Sequence, residues 1–92
     1  MKNIEELMNL MNEVRQRLGW DIIDTNQTMM GYLEDEVKEL RVEIDQNNTQ
    51  GIENELMDVF FVCLSLIHDN KIDVSIALER KLNEVVKKYE SR

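Results

Sequence analysis

Ninety-two residues with a net charge of −8, no proline, three glycines and one cysteine suffice for one small domain, spanning residues 1–92, and exclude several classes. The acidic balance lacks the clustered Lys and Arg that replace counterions on nucleic acid, and Cys63 has no partner with which to form a disulfide. With 42 % hydrophobic and 33 % charged residues, and an apolar run that is short and interrupted by Asp58, the chain is predicted to be all-α, cytoplasmic and free of membrane or nucleic-acid partners.

Asn3 is placed to cap a first helix, with Glu5 and Glu6 in its opening turn, where negative charge complements the dipole. Ile4, Leu7, Met8, Met11, Val14 and Leu18 give it an apolar face, and Gly19 ends it. Arg15 and Arg17 are read as solvated surface charge, with an anion contact as the alternative. The connection from Trp20 to Thr25 carries an aromatic that either plugs the top of the bundle or stacks on a planar ligand. Asp24 or Thr25 caps a second helix over Asn26–Asp45, where Met30, Leu33, Val37, Leu40 and Ile44 are spaced as an apolar seam. Tyr32, Glu36, Glu39 and Glu43 lie along its edge.

The stretch 45–51 begins like a calcium loop, but an EF-hand needs glycine at position six and glutamate at twelve, where Gln50 and Leu56 stand. It is a polar connection. A third helix follows over Ile52–His68, and between Leu56 and Ile67 only Asp58 and Ser65 are not apolar. A helix apolar all round is a buried one, so Asp58 is expected to be neutral, paired or bound to a cation. Glu55, Asp58, Val62, Ser65 and Asp69 share one stripe. Cys63 reads as a buried small hydrophobe and His68 as a helix-end residue. Asp73 caps a fourth helix with Leu78, Leu82, Val85 and Tyr89 on its apolar face. Lys81 and Lys88 flank that face, either solvated or reaching a phosphate in a neighbouring cavity.

Two pairs of carboxylates carry the chemistry. Glu36 and Glu39, like Glu55 and Asp58, are three apart and share a helix face, so each pair forms a two-oxygen claw. Four such groups drawn together repel, at an effective dielectric near 20, by on the order of a few kcal/mol per close pair. A divalent cation removes that cost. Oxygen-only ligands point to Mg²⁺, or Mn²⁺, because zinc sites are richer in Cys and His, and the Glu-x-x-His pairs of a di-iron bundle are absent.

Glu-x-x-Glu, a short loop, Glu-x-x-Asp entering an apolar helix and basic residues on the next helix together resemble the MazG-like all-α nucleoside triphosphate pyrophosphohydrolases. Upstream, Trp20-Asp21, Thr25, Tyr32 and Asp35-Glu36 follow that family's Trp-Asp, Gln-Thr, Tyr and Glu-Glu landmarks, and Glu55-Leu56-Met57-Asp58 is similar to its Glu-Leu-Gly-Asp. The resemblance implies a four-helix MazG-like bundle, completed by homo-oligomerisation, that cleaves a nucleoside triphosphate to the monophosphate and pyrophosphate. It implies Glu36, Glu39, Glu55 and Asp58 as catalytic Mg²⁺ ligands, and Trp20, Tyr32, Lys81 and Lys88 on the substrate, with Asp35 or Glu39 as the proton acceptor.

Departures from the family pattern fall at Asp24, where relatives often have glutamine, and at Asp35, Met57 and Val85. The apolar third helix needs more cover than one small chain supplies, so a homodimer or homotetramer is expected. The competing reading is a non-catalytic acidic helical module, a dimerisation or nucleotide-sensing unit with a structural metal site. Metal-dependent turnover of nucleotides separates the two.

Overall fold

The computed structural model describes residues 2–90. Five helices follow one another: α1 (Ile4–Leu18), α2 (Trp20–Ile23), α3 (Asn26–Asp45), α4 (Thr49–Asp69) and α5 (Val74–Glu90). The Asn3 side chain accepts from the Glu6 backbone N–H at 2.9 Å, and Gly19, at φ 75°, closes α1 in the left-handed conformation that glycine adopts without a Cβ penalty. Trp20–Ile23, expected as irregular connection, forms one helical turn instead. Among the described residues there are therefore five helices, this single turn and four longer ones, where four were expected.

Thr25 and Thr28 cap α3 reciprocally, each side-chain oxygen accepting from the other's backbone N–H at 3.1 and 2.9 Å. The bounds of α3 match the sequence reading. Helix α4 starts earlier than expected, because the Asn48 side chain accepts from the Gly51 N–H at 3.2 Å and makes 49–51 its first turn. Asn47, at φ 54°, completes the tight turn, leaving no cation loop between α3 and α4. Asp73 caps α5 by accepting from the Ile76 N–H at 3.2 Å.

Helices α3 and α4 make the most extensive contact of the fold, while α1 packs on both α4 and α5. The central apolar cluster is Met8, Met11 and Leu64, with Ile4, Phe61, Ile67 and Val74 against it. Burial of such side chains stabilises by about 1.5–3 kcal/mol each, so this core is small. The seam of α3 departs from the apolar pattern: Met29, Leu33, Glu36, Leu40 and Glu43 turn inward, whereas Met30, Val37 and Ile44 are half exposed. Spacing finds an apolar stripe, but carboxylates occupy the packed one.

The expectation that α4 is buried all round is also corrected. Leu56, Met57 and Phe60 are exposed, Met57 by 56 %, and Asp58 is exposed with them. Helix α5 packs on α1, and the described residues leave this face of α4 about half open. Cys63 is only half-buried. Arg15 overturns its surface reading, being fully buried. Its guanidinium donates to both oxygens of Asp69 at 2.9 and 2.8 Å and approaches Asp24 at 3.5 Å, tying α1 to the end of α4 and to the α2–α3 junction.

Candidate active site

Antiparallel α3 and α4 bring Glu36 and Glu55 face to face inside their seam. One oxygen each from Glu36, Glu39 and Glu55 lies within 4.8 Å of the others. Asp58, one turn along α4 from Glu55, stands beside this trio and its charge acts on it. The trio unites both claws, with Asp58 at its margin rather than as the buried member.

The electrostatics follow from this crowding. Burial first, then the interaction with Glu55 and the charges of Glu39 and Asp58, push the Glu36 carboxyl from an ordinary value of 4.5 up to about 7. Burial and the charges of Glu39 and Asp58 raise Glu55 as well, against an opposing hydrogen-bond effect from Glu36. Glu36 Oε2 and Glu55 Oε2 are buried without a hydrogen-bond partner, as is Glu43 Oε2 further along the seam. Buried acceptors of this kind ordinarily find a donor, at a cost of about 1–3 kcal/mol when they do not. An all-oxygen set of unpartnered acceptors fits a hard divalent cation.

Glu36 also belongs to a second feature, a cavity of about 450 Å³ along the α3–α4 seam. Glu36 and Asp58 mark one end. Trp20, Ile23, Met29 and Phe61 wall the other, with Tyr32 and Val62 between and Asp24 and Ser65 as its polar groups. Trp20 meets Phe61 edge to face, with centroids 6.4 Å apart and planes at 89°. Gly19, by ending α1, and the one-turn α2 after it put that indole over the seam.

Of the residues singled out from the sequence, Trp20, Tyr32, Glu36 and Asp58 thus line one cavity, and Glu39 and Glu55 adjoin it through Glu36. Lys81 and Lys88 do not line it. Both lie on exposed α5, where Lys81 pairs with Glu84 at 3.5 Å and Lys88 sits over the Tyr89 ring at 5.5 Å. Arg15 and Asp69 are the pair that the sequence reading passed over. Their signal was present, since Arg15 continues the Met8, Met11 spacing and Asp69 lies on the stripe of Glu55 and Asp58.

Residues 24–92 match the model of the MazG nucleotide pyrophosphohydrolase domain. The chain belongs to the MazG family. The match covers α3, α4 and α5, with the acidic trio; Arg15 and Trp20 lie before it. No curated protein and no solved structure matches the chain. Membership makes nucleotide pyrophosphohydrolase chemistry the activity of the family to which this all-helical MazG domain belongs. Among the described residues no helix is long and apolar enough to cross a membrane.

Proposed function

We propose that this MazG domain hydrolyses nucleoside triphosphates to the monophosphate and pyrophosphate, in a reaction dependent on Mg²⁺ or Mn²⁺. The observation that carries the reading is the convergence of Glu36, Glu39 and Glu55 within 4.8 Å, joined through Glu36 to a cavity whose far end is aromatic. That combination suits a ligand with a highly charged end and a planar one. Glu36, Glu39 and Glu55, with Asp58 beside them, would hold the cation. When bound there, it supplies charge neutralisation at the phosphates and activation of water.

The chain's own groups have separate tasks. Trp20 and Tyr32 orient the base and sugar, so that the α-phosphate meets the carboxylate end. Either Glu39, through an oxygen not used on the cation, or Asp35 on the exposed side of α3 would accept the proton of the attacking water. A second copy would cover the exposed faces of α4 and α5. A phosphate role for Lys81 and Lys88 rests on such a copy carrying them to the cavity.

The test is incubation of the purified protein with a panel of ribo- and deoxyribonucleoside triphosphates and Mg²⁺, with products identified by phosphorus NMR. Monophosphate plus pyrophosphate is expected, lost in Glu55→Gln and Asp58→Asn. A protein that melts higher with Mg²⁺ yet turns over no nucleotide would instead be a binding or structural module.

A further inference from the structure

The aromatic end of the cavity has an unusual polar wall. Asp24 lies where α2 ends, its backbone N–H bonded to the Trp20 carbonyl at 2.9 Å, and its side chain is 13 % exposed. Arg15 Nη2 stands 3.5 Å from Asp24 Oδ2, but both terminal nitrogens of Arg15 are closer to Asp69, at 2.9 and 2.8 Å. His68 Nδ1, at 3.1 Å, lies on the outer side of Asp69. One guanidinium thus serves two carboxylates. It fixes Asp24 in place while leaving that carboxylate with acceptor capacity toward the cavity, of which Asp24 is a lining residue.

The other polar group at this end has its hydrogen committed elsewhere. The Ser65 hydroxyl donates to the Phe61 carbonyl at 2.9 Å and is buried. Glu36 and Asp58 stand seven residues from Met29 and Ser65 on α3 and α4, which is about 10 Å along a helix. They mark the phosphate end under the function proposed above. Asp24 is thus the one carboxylate at the end where a base would meet Trp20, and unlike the hydroxyls of Ser65 and Tyr32 a carboxylate accepts hydrogen bonds without donating any.

Resting on that nucleotide reading, we propose that Asp24 is a specificity-determining residue that selects bases presenting two adjacent N–H donors, as guanine does through N1–H and its 2-amino group. Adenine and cytosine offer an amino donor next to a ring nitrogen that accepts. Uracil and thymine offer one N–H between two carbonyls. Each of these turns an acceptor toward a carboxylate, and a site built for a hydrogen-bonded group rejects analogues lacking it far more strongly than an apolar pocket rejects a size change.

The test compares guanosine, inosine, adenosine, cytidine and uridine triphosphates with Mg²⁺ on wild type and Asp24→Asn, reading kcat/KM by pyrophosphate release. Inosine lacks only the 2-amino group, so its comparison with guanosine needs no variant and is unaffected if Asp24→Asn folds poorly. A guanosine preference of about tenfold over inosine, and more over the other bases, shrinking severalfold in Asp24→Asn, is expected. Equal rates for guanosine and inosine, or a preference unchanged in Asp24→Asn, would overturn the assignment while leaving the hydrolase reading intact. Should no nucleotide be turned over, that reading fails, and calorimetric titration with guanosine and inosine monophosphates decides the base site separately. Tighter guanosine binding that Asp24→Asn weakens supports it, and equal binding overturns it.

Discussion

Arg15 and Asp69, 54 positions apart, hold each other through parallel N–H···O contacts of 2.9 and 2.8 Å. The guanidinium is fully buried and the Asp69 side chain 26 % exposed. Planar, bidentate pairing of this kind is specific to arginine. In a protein whose apolar cluster is small, the pair does what more core would otherwise do, joining three segments that approach from different directions.

Removing one partner should therefore be costly. Arg15→Met leaves Asp69 and Asp24 facing each other without a cation, and breaking a buried pair typically costs 3–5 kcal/mol. Water reaching Asp69 offsets part of this, so about 3 kcal/mol is expected in urea denaturation. Arg15→Lys should restore little, because an ammonium cannot span both oxygens. Adding Asp69→Leu to Arg15→Met should recover much of the loss. A cost below about 0.5 kcal/mol, the range of ordinary surface changes, would show that the network is ornamental to stability.

The pH dependence of the metal-free protein has two limbs of opposite sign. Hydrogen bonding to Arg15 holds the Asp69 carboxyl below its ordinary 3.8, so its stabilisation is present above that value and fades as pH falls below it. Glu36 runs the other way. Its carboxyl sits at about 7 folded against an ordinary 4.5, so the native state holds a proton that the unfolded chain has released. Stability should decline as pH rises from about 4.5 to 7, measured by denaturation at fixed ionic strength with chelator present. Glu36→Gln should flatten that decline; an unchanged slope would place its origin elsewhere.

Gly51 offers a separate probe of the seam. It occupies the first turn of α4, and a Cβ there would overlap the Glu43 carboxylate and crowd Asn48 Nδ2, which would have to turn slightly aside. The Glu43 head is the far end of a flexible side chain with an unpartnered buried oxygen, so it can swing out to water. Gly51→Ala gains helix propensity of about 0.5–1 kcal/mol and keeps the Asn48 cap, which uses only the backbone N–H. We expect a slightly higher melting temperature. A fall would mean that Glu43 is held in place by more than packing.

What could be read from the chain and what could not divides along physical lines. Caps at Asn3, Thr25 and Asp73 and the stop at Gly19 act within one turn, so local chemistry disclosed them. The inward turn of Glu36 and Glu43 was hidden because apolar spacing assumes that packed faces are greasy, whereas this seam gathers acids. Arg15 was hidden for a related reason: a buried cation is intelligible only with its partners, and Asp69 and Asp24 lie on other segments. The meeting of Glu55 with Glu36 and Glu39 was legible because the short connection forces α3 and α4 to run antiparallel, whereas the outward turn of Asp58 was not.

The acidic trio makes the most direct prediction. Glu36, Glu39 and Glu55 repel within 4.8 Å, and a divalent cation that binds the folded seam and scarcely the unfolded chain stabilises it by mass action, about 2.7 kcal/mol at a hundredfold excess over its dissociation constant. Mn²⁺ or Mg²⁺ should therefore raise the melting temperature. Because the cation displaces the proton that Glu36 holds below about pH 7, this gain should grow as pH rises toward about 7, where metal-free stability falls, and level off above it. Glu55→Gln should remove most of the gain and Asp58→Asn a part of it. Glu43→Gln should remove little, since Glu43 carries a similarly orphaned oxygen but stands outside the trio. If Glu43→Gln weakened the response as much as Glu55→Gln, the cation would be binding the acidic seam diffusely, and the assignment of ligands would have to be abandoned.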